Sequence, residues 1–346
     1  MTYSSLFLIV MLLQTSFLAI RPTRKLFALY LTLCQSALIL FKDWGMSPDD
    51  LEYQKRILLY ANNELNFSSF VVEPGFSIIT NLFYSIGFSA VASAKLFQIV
   101  SLLILNFALA KYIRSHAALL YAFCVFFPVQ QFVLLRTGFA ISLTLLATLL
   151  LLNNKNVRAL WFIFISILMH KQTLLWVGIS SMQRAFGFAV KRYSGFFLLS
   201  VLILMANSPQ ISKMIVDYLA SSFSQIAYYR DLSDGLTFGT EIGFGVRTYI
   251  LFAAYYYALS LPKRNERSKY FLFSIIAIIV ALIGATVFAE IPVLARRIFE
   301  YGSIFSILLF QCRSRVLNTI LLSYAFANFL IEIYVYPLSD FSRQLL

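Results

Sequence analysis

Four arginines stand at the start of apolar segments, a position that favours phosphate binding. Arg136 precedes TGFAISLTLLATLLLL, Arg247 precedes TYILFAAYYYALSLP, and the adjacent pair Arg296 and Arg297 precedes IFEYGSIFSILLF. A guanidinium group binds phosphate oxygens through paired, charge-assisted hydrogen bonds that lysine does not match. Arg297 and Tyr301 are four residues apart and share a helix face. The three sites predict one shared anion-binding cavity, and snorkelling to lipid headgroups is the alternative for each side chain.

Two further residues are candidates for proton transfer. His170, in IFISILMHKQTLLW, follows an apolar run of about eleven residues, which is too short to cross a membrane and predicts a broken helix that ends in a cavity. Imidazole suits general acid/base work or a phosphate contact near neutral pH, and a packed structural histidine is the alternative. Glu73, in VVEPGFS, stands at a turn where it either caps the next helix or delivers a carboxylate to the cavity.

The segment SPDD predicts the start of a helix in a polar stretch of the chain. Ser47 supplies a hydroxyl cap, Pro48 suits the first turn, and the next two acids lie near the positive helix end. Asp49 and Asp50 are therefore interpreted first as caps of an interfacial helix. The sequence contains no cluster with metal-ligand spacing, no serine nucleophile elbow and no Walker loop. The predicted chemistry is accordingly phosphate-centred, with no metal and no cofactor.

The elements that must position these residues are predicted to be membrane helices. Hydrophobic residues make up 60% of the 346 residues, charged residues make up 12%, and the mean hydropathy is +0.80. Uncharged runs near the length that spans a bilayer recur along the chain. The predicted fold is all-α, a polytopic integral membrane protein with about 11–12 transmembrane helices, some short or broken, in a single transmembrane domain over residues 1–346. The three cysteines show neither metal-ligand spacing nor a disulfide framework.

The distribution of charge predicts the orientation of these helices. Spans are predicted near 3–20, 26–41, 92–113, 117–130, 133–152, 159–170, 171–186, 194–208, 246–262, 270–289, 297–312 and 316–336. With the amino terminus outside, the inner loops hold 16 basic residues and one acidic residue, as the positive-inside rule requires. This asymmetry explains the net charge of +13 better than nucleic-acid binding does, because no basic soluble face is present.

The same orientation leaves two long outer segments, residues 42–91 and 209–245, and sets the four arginines at the outer ends of their spans. The positive-inside rule does not explain cations there. Each guanidinium would cost about 2.5–3.5 kcal/mol at the middle of the bilayer, so these groups are expected to face water, a partner or a ligand. Long outer segments above a membrane core indicate that the protein works at its outer face.

The order of these motifs resembles that of the EpsG/Wzy-like family of bacterial polysaccharide polymerases. The matching pieces lie between about residues 40 and 310. They are Asp50 and Tyr53 in the first outer segment, EPGF, LLRTGFA, LMHKQTLL, and the late Arg297 with Tyr301. The arginine-to-histidine module from Arg136 to His170 is the most specific of them, and either Arg296 or Arg297 corresponds to the family's late arginine.

The resemblance implies a membrane glycosyltransferase with a GT-C-like architecture in the bacterial inner membrane. Such polymerases join oligosaccharide repeat units carried on undecaprenyl pyrophosphate at the periplasmic face, alongside a flippase and a chain-length regulator. It implies an arginine cage for the pyrophosphate from Arg136, Arg247 and the late arginine pair, with Asp50, Tyr53 and Tyr301 as substrate-binding residues. A base is needed for the acceptor hydroxyl, and His170 and then Glu73 are the candidates.

Three other functions fit parts of the sequence. A flippase or transporter of lipid-linked sugars also needs basic groups in a cavity, although no internal repeat relates the two halves of the chain. An O-antigen ligase, which moves finished glycan to another acceptor, would use nearly the same residues. A membrane acyltransferase with His170 as base leaves the outer arginines unexplained.

Overall fold

The fold is built from helices throughout the part of the chain that the computed structural model describes. That part comprises residues 3–20, 22–45, 48–62, 74–113, 115–206, 208–222, 246–261, 265–288, 291–312 and 314–335, and it contains no strand. Its fourteen α-helices, numbered α1 to α14, are Tyr3–Ala19, Arg24–Leu40, Pro48–Ala61, Pro74–Ser85, Ala90–Tyr112, His116–Phe126, Leu135–Leu152, Asn156–Met169, Leu174–Ala206, Ser208–Ser222, Val246–Ser260, Asn265–Val287, Pro292–Ser303 and Arg315–Leu330. Short π-helical turns (Phe127–Gln131, Ile331–Val335) and 3-10 segments (Lys171–Thr173, Ile304–Cys312) complete the set.

Several of these helices have the length and composition of membrane spans. Among the described residues, Ala90–Tyr112, Leu135–Leu152, Lys269–Val287 and Arg315–Ile333 are both long and apolar enough to cross a bilayer. Shorter apolar helices are Ser5–Ala19, His116–Val129, Asn156–Met169 and Ile298–Cys312. The prediction of an all-α polytopic membrane protein is confirmed. The number of spans and the GT-C-like arrangement stay predictions.

Two predicted boundaries differ from the observed helices. The spans expected at 171–186 and 194–208 lie in α9, which runs from Leu174 to Ala206 with a kink where Tyr193 leaves the helical conformation (φ −116°, ψ 21°). The span expected at 297–312 consists of α13 and a 3-10 segment instead of one α-helix. The sequence has no proline at either position to mark the change, so hydropathy alone did not reveal these features.

The chain divides into two compact units, and the first comprises Met1–Val177 with Ala325–Leu346. Its helices α5, α7 and α8 carry serine and threonine on buried faces, so they bond to one another inside an apolar core. Ser101 contacts the Ser142 hydroxyl at 3.0 Å, which joins α5 to α7. Asn106 donates to Gln35 at 2.7 Å, which joins α5 to α2. These polar contacts fix the helices where apolar packing alone gives little direction.

One end of the first unit, which we call the basic end, is formed by residues 20, 22–24, 112–113, 115–116 and 153–156. Arg24 donates to the carbonyl of Ile113 at 3.1 Å, and a ring nitrogen of His116 lies 2.9 Å from the carbonyl of Pro22. Lys155 lies 5.8 Å from the centre of the Tyr112 ring. All three segments belong to loops that the charge pattern predicts to be inside. Their mutual contacts support the predicted alternation of the spans.

The second unit comprises Gly178–Tyr324 and is organised around α12 and α13. The two helices approach closely because glycine lies at their interface. A Cβ atom added to Gly302 would overlap Ala281, and one added to Gly284 would lie 2.7 Å from Ile298. Tyr301 is buried in this unit, with its ring centre 6.3 Å from that of Phe305. The amphipathic helix α10 joins α12 through a 3.0 Å hydrogen bond from Ser212 to the carbonyl of Val287.

Candidate functional site

Helix α3 brings two of the predicted site residues into the first unit. It begins at Pro48, as the sequence predicts. Asp50, Tyr53 and Ile57 follow one face of the helix and are 0%, 2% and 1% exposed, whereas Leu51 is 58% exposed on the other side. Asp49 and Asp50 lie in the first turn of α3, as expected for acids near the positive end of a helix, and the carboxylate of Asp50 is buried. Helix α3 packs inward through this face.

Arg136 lies at the point where a π-helical turn gives way to a membrane helix. Residues 127–131 form the π turn, and Arg136 is the second residue of α7. Its guanidinium carbon lies 5.3 Å from the centre of the Tyr53 ring, and its Nε atom is buried. The amino-terminal end of α7 also carries the positive end of the helix dipole. Two positive features at one place favour an anion as their ligand.

The Arg136 guanidinium lies next to a series of aromatic rings from four helices. The ring of Tyr53 is centred 5.2 Å from Phe76, Phe76 is 5.1 Å from Phe97, and Phe97 is 4.4 Å from Phe139. Leu135 and Met169 belong to the same buried cluster. These residues come from α3, α4, α5, α7 and α8. Apolar packing thus collects four of the separate sequence motifs at one end of the first unit.

The glycine of EPGF contacts the histidine motif. A Cβ atom added to Gly75 would lie 2.8 Å from both the Sδ and Cε atoms of Met169 and 3.0 Å from the backbone carbon of Leu168. His170 follows Met169 directly in the chain. Only glycine permits so close an approach. Glu73 lies outside the described residues, so its proposed role stays a prediction. Gly75, two residues after Glu73, contacts the histidine motif.

The broken helix expected at His170 is confirmed. Helix α8 ends at Met169, His170 is extended (φ −160°, ψ 125°), and a 3-10 turn leads into α9. The backbone N–H of His170 donates to Ser166 and its carbonyl accepts from Thr173. Ser166 also donates to the carbonyl of Ala140 at 2.7 Å and contacts the Thr173 hydroxyl at 2.9 Å. These bonds satisfy the backbone at the break.

His170 and Arg136 lie at the same level of the first unit. Ser166 of α8 contacts Ala140 of α7 directly. Arg136 precedes Ala140 by four residues, and His170 follows Ser166 by four residues on the helix that runs the other way. Each is therefore displaced toward the same end, by about 6 Å along a helix. We call this end, formed by residues 41–45, 48–53, 74–76, 127–136 and 169–173, the Arg136 end.

Lys42, which the sequence motifs did not single out, is buried at the Arg136 end. Its Nζ atom lies 2.6 Å from the Asp50 carboxylate and donates to the carbonyl of Phe132 at 2.9 Å. It also lies 5.4 Å from the Trp44 ring centre. The side chains of Lys42 and Asp50 are 1% and 0% exposed. Burial lowers the pKa of the Lys42 ammonium, and the attraction of Asp50 opposes that shift.

Lys95 and Gln98 of α5 extend this polar cluster. Lys95 donates to the carbonyls of Leu40 and Lys42, both at 2.8 Å, and Gln98 donates to that of Phe132 at 3.1 Å. The charge pattern of the sequence could have indicated the two lysines. Lys42 and Lys95, like the arginines, are cations on the side that the positive-inside rule predicts to be poor in basic residues.

The remaining predicted site residues belong to the second unit. Arg247 is the second residue of α11, and Arg296 and Arg297 lie in α13. The side chains of these three arginines lie outside the described residues, so the predicted guanidinium cage stays a prediction. Tyr301 is 2% exposed and packs within its own unit. Among the described residues, no three His, Cys, Asp or Glu side chains are placed to hold a metal ion.

Comparison with known proteins identifies the family of the chain. The model of the EpsG family matches residues 25–343, which is most of the chain. No curated protein and no solved structure gives a significant match. The match covers every motif of the Arg136 end. The chain therefore belongs to the EpsG family, as a multi-pass membrane protein related to polysaccharide polymerases.

Proposed function

We propose that this protein polymerises oligosaccharide repeat units carried on undecaprenyl pyrophosphate, at the periplasmic face of the bacterial inner membrane. The observation that carries the proposal is the position of Arg136, which stands at the amino-terminal end of a membrane helix, over the Tyr53 ring and level with His170. Membership of the EpsG family supports the reaction class. A lipid carrier would account for a cationic site at the end of membrane helices.

In the proposed reaction, the acceptor is a hydroxyl of the incoming repeat unit and the donor is the lipid-linked growing chain. The hydroxyl oxygen forms a bond to the anomeric carbon of the donor, and the bond from that carbon to pyrophosphate breaks. The electron pair of that bond leaves with undecaprenyl pyrophosphate, and the hydroxyl proton goes to a base. His170 is the first candidate for this base and Glu73 is the second.

The protein's main task in this reaction is to stabilise negative charge. Pyrophosphate is already a good leaving group, so the donor side needs no strong acid. Charge developing on the phosphate oxygens is stabilised by Arg136 and by the amide groups that begin α7. Arg247, Arg296 and Arg297, at the starts of other apolar segments, are the further candidates for phosphate contacts that the sequence offers. The Tyr53 ring packs against the Arg136 guanidinium, and Asp50, on the same face of α3, is paired with Lys42. A flippase and a chain-length regulator are the proposed partners.

A reconstituted reaction tests this proposal. Purified protein is mixed with lipid-linked repeat units in detergent or liposomes, with no other protein present. We expect products that are longer by whole repeat units, together with released undecaprenyl pyrophosphate. The Lys55→Met variant, which alters an exposed lysine of α3, serves as the matched control.

Other outcomes of the same assay identify the alternative functions. Transfer of the glycan only to an acceptor other than a repeat unit would indicate a ligase. Movement of unlengthened lipid-linked units between the leaflets of a liposome would indicate a flippase. Either result would overturn the polymerase proposal.

A further inference from the structure

The ammonium of Lys42 joins the two segments that carry Arg136 and Tyr53. Its bond to Asp50 holds α3 one turn before Tyr53. Its bond to the carbonyl of Phe132 holds the end of the π-helical turn four residues before Arg136. One buried cation therefore sets the position of both partners in the cation–π contact.

We propose that Lys42 is a positioning residue for Arg136. This proposal rests on the proposed function, because Lys42 affects the reaction only if Arg136 binds the phosphate groups. Lys42 does not contact substrate, since its side chain is 1% exposed and surrounded by Asp50, the Phe132 carbonyl and the Trp44 ring. It acts by keeping the Tyr53 ring beneath the guanidinium.

The surroundings of Lys42 make it a rigid anchor. Its backbone N–H donates to the carbonyl of Ile39, which fixes it to the end of α2. Lys95 donates to the Lys42 carbonyl from α5, and Gln98 donates to the same Phe132 carbonyl that Lys42 contacts. The ammonium is thus held from α2 and bonded to two other segments. Removal of one partner of such a buried ion pair strongly lowers the stability of the fold, because the other charge is left uncompensated.

Arg136 is sensitive to small displacements because it is proposed to stabilise charge only as the pyrophosphate bond breaks. A misplacement of about 1 Å in such a group costs about a hundredfold in rate. The additional negative charge on the pyrophosphate develops only in the transition state, so a displaced Arg136 loses more interaction there than in the bound substrate. Loss of Lys42 should therefore lower kcat much more than it raises KM.

The test combines kinetics with arginine labelling of the full-length protein. For Lys42→Met we expect kcat to fall by about 10- to 100-fold per folded molecule, while KM changes by less than about threefold. Phenylglyoxal should modify Arg136 several times faster in this variant than in the wild type, as measured by mass spectrometry without substrate. Lys55→Met is the matched control and should change neither quantity.

A double-mutant cycle separates positioning from general stability. If Lys42 acts through the Tyr53–Arg136 pair, adding Lys42→Met to Tyr53→Leu should lower kcat by less than about threefold beyond the more damaging single change. Two independent structural defects would instead multiply their losses. If Lys42→Met does not accumulate, the paired variant Lys42→Met/Asp50→Asn replaces it, since it leaves no buried charge unpaired.

Unchanged labelling of Arg136, or losses that multiply in the cycle, would overturn the proposal for Lys42. An inactive wild-type protein would instead count against the polymerase function. The labelling measurement would still decide whether Lys42 positions Arg136, because it requires no turnover.

Discussion

At the scale of single residues, Arg136 combines a membrane-helix end with an aromatic support. The Arg136 guanidinium carbon lies 5.3 Å from the centre of the Tyr53 ring, and a guanidinium is the side-chain group best suited to paired bonds with phosphate oxygens. Tyr53 itself is 2% exposed. Its ring therefore supports the arginine, which refines the substrate-binding role that the family resemblance implies for it.

Substitution of Arg136 should abolish chain growth without removing the protein from the membrane. We expect Arg136→Ala to lower kcat by at least about a hundredfold, because the loss of one group that stabilises transition-state charge typically lowers kcat by about that factor. Arg136→Lys should restore only part of it, since an ammonium lacks the bidentate geometry. The measurement is a gel of surface polysaccharide, on which single-repeat material should persist, together with an immunoblot of the protein.

The control for this experiment is Arg56→Ala, which removes a partly exposed arginine that pairs with Glu52 on the surface of α3. Such pairs contribute about 0–1 kcal/mol, so this variant should behave like the wild type. Normal chain length in Arg136→Ala would remove Arg136 from the proposed site.

At the scale of elements, the close contact between α4 and the end of α8 joins two motifs that are distant in the sequence. Gly75 is the second residue of α4, and its missing side chain is what lets the helix reach Leu168 and Met169. Met169 is 2% exposed and has little room to move. The spacing between the EPGF turn and His170 therefore depends on this glycine.

A methyl group at Gly75 should separate α4 from α8. We expect Gly75→Ala to destabilise the protein by about 1–3 kcal/mol, as overpacking of a filled core does, and to lower the polymerisation rate. Thermal unfolding in detergent measures the first effect. Gly178→Ala is the matched control, because a Cβ there meets no atom within 4 Å and the change should be neutral or stabilising.

At the scale of the whole molecule, the first unit has two chemically different ends. The described residues of the basic end include Arg24, His116 and Lys155 and no acidic residue. The Arg136 end contains both signs of charge, including the buried Lys42–Asp50 pair. From the positive-inside rule we expect the basic end to face the cytoplasm and the Arg136 end to face the periplasm.

Cysteine labelling tests this orientation. In a variant without the three native cysteines, we expect a membrane-impermeant maleimide to label Lys55→Cys in intact spheroplasts. It should label Asn156→Cys only after the membrane is made permeable, since that residue lies at the basic end. Both positions are exposed to solvent or lipid headgroups in the fold. The reverse pattern would place the Arg136 end in the cytoplasm and contradict a periplasmic reaction.

The sequence by itself determined the fold class and predicted the chemistry of the site. Hydropathy predicts membrane helices because a bilayer imposes their length and composition, and the break after Met169 is visible because its apolar run is too short to cross. Guanidinium groups at helix starts predict an anion, because their chemistry does not depend on the rest of the fold. Motif order also predicts the family.

Only the tertiary structure decided which residues surround Arg136. The Lys42–Asp50 pair joins residues eight apart that no motif connects, and the contact of Tyr53 with Arg136 crosses more than eighty positions of sequence. The approach of Gly75 to Met169 spans a similar distance. Such contacts arise when several helices bury their faces together, and a single sequence does not encode that geometry in any local pattern.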